Sequence, residues 1–548
     1  MDKNDRGDVT PQEQQAGARI RDAREEDVAQ IRDVYLATYG QDYAYPQFYD
    51  LSQLKKLVYS DDIILLVAED LQTGRILGTA SVILEIGAFA DLVAEFGRLA
   101  VHPDVRRRGI GRLLMEGRLQ RVQDRLDLGL VDNRICHPFS QKISAAQHFV
   151  PVGCLPLKLR LAERESVVMF VRHFGDAVAL RRNNPRIIPE AYELANRALS
   201  ACGLNRDAIA DDAAPSYPQD DQFELDQLTT EGYATLLRFQ RGRVRHREIF
   251  GPLRLHYGLF KLMARHSNYL IARQHGVIIG AIGFTIDEVE RAVRVFELIS
   301  TSEQPVHFLI DQLLKRCREE WNIEYIEVDV SAYAPRMQRT LLELHFLPAA
   351  YIPAMVFHEV ERLDALRMVR LLVPFPPTEV HVIDLAQPIV ECVLQSFVGQ
   401  ALEPRIADAA TAAVGLFQGL TKEQARRLAR ICELETFDPG KEILVEGQHD
   451  QKTYLVLEGE ATVHVRQAAQ PVGSVGPGEF LGEMALLSGV PHSATVTART
   501  QIHVAVIRQD ALNHLIRQRP DIGLVLYRNL ALGMGQKLSR ADHAGDGV

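Results

Sequence analysis

Arg106-Arg107-Arg108-Gly109-Ile110-Gly111 packs three guanidinium groups and two glycines into six residues. Guanidinium is a permanent cation with a fork of donors suited to phosphate. Glycines let backbone N–H groups approach an anion without a Cβ in the way. The chemistry this points to is capture of a phosphate or pyrophosphate. Such a turn works only if the chain around it is arranged to hold it. Before it, Phe96–His102 reads as a strand, and after it Gly109–Arg125 reads as a helix, with Leu113, Leu114, Arg118 and Leu119 spaced for one buried face. A helix N-terminus has unsatisfied N–H groups and a favourable dipole for an anion.

Arg-x-x-Gly-x-Gly placed after Leu99-Ala100-Val101-His102-Pro103 resembles the coenzyme A pyrophosphate loop of the GNAT acyltransferase superfamily. The flanks are similar too, with Ala18–Asp27, Ile63–Glu69 and Ile76–Glu85 as its first three strands. The resemblance implies acetyl-CoA as co-substrate. Arg106, Arg107, Arg108, Gly109, Ile110, Gly111 and Arg112 would hold its phosphates, and the backbone of Leu99, Ala100 and Val101 would follow the pantetheine arm. It also implies a carboxylate base near that strand. Glu95 is the first candidate and Asp91 the second, the alternative for Glu95 being a solvated strand residue. The family's usual acid is a Tyr four residues before a Gly. Here Phe149 stands before Gly153, and Phe donates no proton. His148, His137 and Ser140 are the nearby donors, and Cys136 is expected to be a buried structural thiol.

A second constellation lies near the C-terminus. Short alternating segments between Gly and Pro turns, such as Tyr454–Leu457 and Ala461–Val465, predict an all-β roll. Gly478–Val496 then resembles the phosphate-binding cassette of cyclic-nucleotide-binding domains, with the likeness running from Gly415 to Leu538. The resemblance implies that Gly482 and Glu483 hold a ribose hydroxyl. Backbone amides of Met484, Ala485 and Leu486 would take the cyclic phosphate, beside Ser493 and Ala494. The family's phosphate-binding Arg is replaced by His492. A lost charge-assisted bond to an anion costs about 1.5–3 kcal/mol, so the cassette either binds cyclic nucleotide weakly or keeps only the fold.

The remaining chain sets the frame. A length of 548 residues allows about three to four domains. With 47% hydrophobic and 24% charged residues it is ordinary for a globular protein, and the net charge of -10 argues against nucleic acid as partner. Six scattered cysteines without Cys-x-x-Cys predict reduced thiols and no metal site. No run is long enough to span a membrane, and the polar start Met1–Asp5 predicts a cytoplasmic protein.

The expected organisation is a disordered N-terminus (1–17), a GNAT acyltransferase domain (18–175), a connector (176–222) and a degenerate GNAT-like domain (223–361). A linker (362–410), a cyclic-nucleotide-binding domain (411–540) and a tail (541–548) follow. In the second copy, Tyr269–Arg273 and Val277–Thr285 read as a hairpin around Gly276. Thr301–Val306 stands where the phosphate loop should be, with Glu303 repelling an anion. The fold class is α/β, with two GNAT-type α/β domains followed by an all-β cyclic-nucleotide-binding roll with flanking helices. No helix-turn-helix is expected after the roll. The fusion resembles bacterial protein acetyltransferases regulated by cyclic nucleotide, with a different domain order. This implies an N-acetyltransferase acting on an amine, a protein lysine among the candidates, with cAMP or another cyclic nucleotide as effector. The competing expectation is a non-catalytic sensor or assembly protein.

Overall fold

The computed structural model describes residues 10–545 apart from 44, 61, 87–91, 229–247, 251–254, 259–260, 265–266, 377–378, 412–415, 450, 467–469 and 483–490. Contacts divide the chain into two compact units. One is Met1–Val373 with Glu379–Val393, and the other is Pro374–Thr378 with Leu394–Val548.

The first unit is built on one sheet of fifteen strands among the described residues. Its first half contains β1 (Ala18–Asp22), β2 (Ile63–Asp70), β3 (Ile76–Ile86), β4 (Leu92–Val101), β5 (Leu128–Arg134), β6 (Val150–Arg160) and β7 (Arg164–His173). They lie in the order β1-β2-β3-β4-β5-β7-β6. The sheet then continues through Leu347–His358, Glu361–Leu371, Tyr325–Ser331, Ala292–Ser300, Val277–Asp287, Ser267–Gln274 and Glu224–Leu228. Counted outward from the seam, the second half repeats the strand order of the first. The predicted hairpin around Gly276 is present.

The halves join through antiparallel pairing of Gly153 with Ala350. Each of these residues follows a bulge after a proline, Pro151 in one half and Pro348 in the other. The seam therefore pairs equivalent positions. The segments around it share Phe-x-Pro-x-x-x-x-Pro, as Phe149–Pro156 and Phe346–Pro353. A Cβ on Gly153 would lie 2.2 Å from the Ala350 Cβ and 2.4 Å from the Ala349 carbonyl, so only glycine allows this approach.

Two expectations need correction. Residues 11–16 are not a disordered leader but a helix, Pro11–Ala16, closed by a Thr10–Glu13 capping box. Glu13 also accepts the Ile20 N–H at 2.8 Å, which ties the helix to β1. The expected linker from 362 begins inside the sheet. Strand Glu361–Leu371 pairs with neighbours on both sides. Its alternating charges suggest solvent, yet Arg362, Asp364 and Arg367 are buried. Arg181 meets Asp364 at 2.6 Å and Arg367 meets Asp329 at 2.6 Å, so the charges are compensated inside the protein. Helix Pro189–Ala201, opened by Pro189, buries Ala191, Leu194, Ala195 and Leu199 and packs on β6 and on strand Leu347–His358.

Among the described residues the second unit holds two four-stranded sheets. One runs Cys432–Phe437, Ile502–Arg508, Lys452–Glu458, Phe480–Leu481. The other runs Glu442–Leu444, Thr495–Ala498, Ala461–His464, Gly473–Val475. Between them lies a core of Leu444, Tyr454, Val456, Val496, Ile502 and Val504. Helices Gln509–Gln518 and Pro520–Gly545 follow the roll, and Leu512, Leu515, Ile522 and Leu526 pack with Phe417 and Leu428.

Candidate functional sites

β4 and β5 run parallel but pair over only three positions, Val93 with Leu128 through Glu95 with Leu130. Beyond Glu95, β4 keeps its pairing with β3 alone. A register shift falls there, and Arg98 sits at φ 53. The sheet thus opens along Leu99, Ala100 and Val101. Below the opening, Arg118 donates to the carbonyls of Ser81 (3.2 Å) and Gly97 (3.1 Å), which fixes the irregular backbone.

The strand ends at the Arg-Gly turn. Gly109 caps helix Ile110–Val122 at φ +83, and a Cβ there would meet nothing within 4 Å. Its role is backbone conformation in front of open space. Gly111 differs: its Cβ would come within 3.0 Å of Ile143, so it serves internal packing rather than backbone approach to an anion. The arginines are unequal. Arg108 donates to the Ala16 carbonyl at 2.8 Å, and Arg112 pairs with Glu116 at 2.8 Å. Arg106 and Arg107 are exposed.

Glu95 is half-buried on β4. Burial opposes the charge of Arg98, but the Glu95 carboxylate and the Tyr45 phenol outweigh this and raise its pKa. Asp91 lies outside the described residues. Phe149 is fully buried, edge-on to Phe96 with ring centres 5.3 Å apart, and has no proton to give. Burial and the Arg134 charge lower His137. Cys136 is exposed rather than buried, and its thiol lies 3.4 Å from Glu165. Partial desolvation of the sulfur and the Glu165 charge outweigh Arg134 and raise the Cys136 pKa, so the thiol is not activated.

The sequence reading did not single out the aromatic wall beside Glu95. Tyr35, Tyr39, Tyr43 and Phe48 pack ring against ring, and Tyr45 joins Tyr43 edge-on. Tyr35 donates to the Arg98 carbonyl at 2.9 Å. Five tyrosines between positions 35 and 49 were the available signal.

The second half treats the corresponding opening differently. Strands Ala292–Ser300 and Tyr325–Ser331 pair over four positions and then part. There a two-residue strand, Ile249–Phe250, pairs with Val330 and Asp329 and occupies the edge. At the start of helix Gln304–Glu319, Glu303 holds Arg336 at 2.6 Å. Arg336 lies 4.5 Å from the Tyr217 ring centre, and the Tyr217 hydroxyl donates to Glu248 at 2.9 Å.

In the second unit, Gly482 sits at φ +73, and its Cβ would fall 2.9 Å from the Lys452 carbonyl and 3.7 Å from His492. The His492 N–H donates to the Gln448 carbonyl at 3.0 Å. The side chain is buried, and Nε2 has no partner among the described residues. Ser493 is exposed and Ala494 half-buried beside it. Glu483, Met484, Ala485 and Leu486 lie outside the described residues. Among the described residues no His, Cys, Asp and Glu cluster could hold a metal, and no helix is long and apolar enough to cross a membrane.

Comparison with known proteins matches two domain families. Residues 61–149 match the model for the acetyltransferase (GNAT) domain, and residues 434–519 match that for the cyclic nucleotide-binding domain. A cAMP-dependent protein kinase regulatory subunit of Yarrowia lipolytica is 32% identical over 19% of this chain and 28% of its own length. A cGMP-dependent protein kinase of Plasmodium berghei is 30% identical over 21% and 13%. A cyclic nucleotide-gated potassium channel of Mesorhizobium japonicum is 35% identical over 22% and 33%. The chain thus spans a third or less of each of these relatives. Among solved structures, a cyclic nucleotide-binding domain from Methylobacillus flagellatus is 25% identical, covering 25% of this chain and 79% of its own, with a TM-score of 0.24. The chain therefore carries a GNAT acetyltransferase domain and, C-terminal to it, a cyclic nucleotide-binding domain.

Proposed function

We propose that this chain is an acetyl-CoA-dependent N-acetyltransferase whose activity responds to a cyclic nucleotide, cAMP being the first candidate. The observation that carries the reading is the open edge of β4 leading into a glycine-capped helix with two exposed arginines. Arg106, Arg107 and the N–H groups from Ile110 to Arg112 would bind phosphates, with Gly109 holding the turn. Arg108 stabilises that turn from behind through Ala16. Leu99, Ala100 and Val101 would present backbone donors to the pantetheine arm and the thioester oxygen.

Glu95 would take the proton from the acceptor amine as nitrogen attacks the carbonyl carbon. The carbon–sulfur bond then breaks. The thiolate leaves without a proton from Phe149, which a thiol of moderate pKa tolerates. The acceptor is an amine, either a protein lysine or a small molecule. The second half is a GNAT-like copy whose slot is filled by Ile249–Phe250, and it acts in packing and substrate recognition. Gly482, Glu483 and the amides of Met484, Ala485 and Leu486 would receive the nucleotide, with His492, Ser493 and Ala494 closing the phosphate side. Regulation would follow from unequal nucleotide affinity for two states of the protein.

The test is calorimetry with acetyl-CoA on the full chain and on Gly109→Glu, followed by CoA release with amines, with and without cAMP. Binding lost in the variant, and transfer that changes with cAMP, support the reading. The buried Phe149 favours a second reading, a sensor that binds acetyl-CoA without turnover. Binding without release by any amine would establish that one.

A further inference from the structure

Glu290 belongs to the turn between strands Val277–Asp287 and Ala292–Ser300 of the second half, yet its carboxylate faces the first half. It is 6% exposed. Oε2 accepts the Arg160 N–H at 2.7 Å, while Oε1 is buried without a hydrogen-bond partner. The turn is anchored from several sides. Arg160 donates to the Val289 carbonyl at 3.1 Å, and Arg164 donates to the Glu290 carbonyl and pairs with Glu324 at 2.6 Å. Arg291 pairs with the same Glu324 at 2.7 Å. This carboxylate is therefore held in position rather than free to seek water.

Across from it stands Tyr45 of the aromatic wall. Burial raises the Tyr45 phenol, the Glu290 charge raises it further, and Arg98 and Glu95 act on it from the β4 side. Burial likewise raises Glu290, with the Arg160 N–H and the Tyr45 hydroxyl opposing in part. Arg98 lies 5.4 Å from the Tyr45 ring centre, and its Nη1 is also buried without a partner. Buried polar atoms are nearly always satisfied. Here Glu290 Oε1 and Arg98 Nη1, each without a hydrogen-bond partner, flank one tyrosine whose hydroxyl favours the Glu290 carboxylate, next to Glu95 and the open edge of β4. An ammonium supplies the donors that Glu290 lacks, and a carboxylate supplies the acceptors that Arg98 lacks.

We propose that the acceptor is a small amine that also carries a carboxylate, of the amino-acid class, and that Glu290, contributed by the second half, is a specificity-determining residue for its ammonium end, with Arg98 receiving the carboxylate. The inference rests on the acetyltransferase reading. A lysine within a protein would offer the ammonium but leave Arg98 unsatisfied.

The test uses the full chain with acetyl-CoA. Acceptors are the free amino acids, the same compounds lacking the carboxylate, and a blocked lysine peptide, with acetylated product read by mass spectrometry. The expected result is transfer to one or more amino acids, with kcat/KM about ten- to a hundredfold lower for the decarboxylated counterpart, as expected for one lost charge-assisted bond. Glu290→Gln and Arg98→Gln should raise the acceptor KM by a similar factor while the acetyl-CoA Kd stays constant. Glu290→Asp, which keeps the charge, should recover part of the loss, and melting curves verify that each variant folds. Transfer to the peptide but to no amino acid, or unchanged acceptor KM in Glu290→Gln, overturns the proposal and leaves the acetyltransferase reading intact. Acetyl-CoA binding with no transfer to any acceptor overturns it as well. Failure to bind acetyl-CoA at all would instead strike the parent reading.

Discussion

Replacing Gly153 with alanine tests whether the two halves of the sheet share one tight seam. The new Cβ would sit 2.2 Å from the Ala350 Cβ, 2.4 Å from the Ala349 carbonyl oxygen and 2.4 Å from the Ala350 Cα. Two of these three atoms are backbone and cannot rotate aside. Relief requires the strands to part by about 1 Å, an overpacking that costs about 1–3 kcal/mol. Alanine restricts the unfolded chain and returns about 0.4–1 kcal/mol. The expected net loss is about 1–2 kcal/mol. The chain has one tryptophan, Trp321, whose ring lies 5.3 Å from Phe284 in the second half of the sheet. Its fluorescence therefore follows unfolding of the first unit only, which avoids treating a two-unit chain as two-state. With a slope of about 3 kcal/mol/M, the urea midpoint should fall by about 0.3–0.7 M. Adding Ala350→Gly removes the 2.2 Å contact but neither backbone contact, so it should restore less than half of the loss. A midpoint shift below about 0.2 M in Gly153→Ala would refute the seam geometry.

Calorimetry should give one acetyl-CoA per chain, since Ile249–Phe250 fills the second opening and Arg336 neutralises Glu303; a stoichiometry of two would contradict this. Gly109→Glu should abolish that binding, because it combines a side chain at φ +83 with a negative charge facing phosphate. Glu290 has a raised pKa, so its ionised form is disfavoured by folding. That penalty is absent below the unfolded carboxylate pKa and grows as pH rises through the folded one. Glu290→Gln should therefore raise Tm more at pH 8 than at pH 4, and an equal gain at both would exclude the mechanism. His492→Arg restores a permanent charge beside Gly482 and should tighten cAMP binding about ten- to a hundredfold by calorimetry, with cGMP as control; no gain would mean the side chain does not reach the phosphate.

Much of the first unit was legible because its strands are apolar runs and its phosphate turn is a dense local motif. Ile63–Asp70, Ile76–Ile86 and the hairpin around Gly276 fall where the patterns put them. Strand Glu361–Leu371 was missed because Arg362, Asp364 and Arg367 imitate a solvated face, and their partners Arg181 and Asp329 are remote in sequence. The seam was missed for the opposite reason. Gly153 stood out only as the glycine after Phe149, with no sign of a seam, and only the repeated Phe-x-Pro-x-x-x-x-Pro reveals its counterpart. At the candidate site, the sequence located Glu95 and the loop but treated the arginines as equals. The structure separates Arg106 and Arg107 from Arg108 and Arg112, which have partners within the protein. Glu290 lies 195 positions from Glu95 in the chain (290 − 95), and no local pattern could link it to that region.

Pairing of equivalent residues across a seam is the geometry of an isologous dimer, here enclosed within one polypeptide. A dimer of identical subunits must offer the same site twice, and any inequality between them has to be induced by the first ligand. Covalent fusion removes that constraint. One half can close its opening with its own backbone and lend a turn to its neighbour's site. On the proposed function, half-of-the-sites behaviour, transient in a symmetric enzyme, would be a fixed property of the chain.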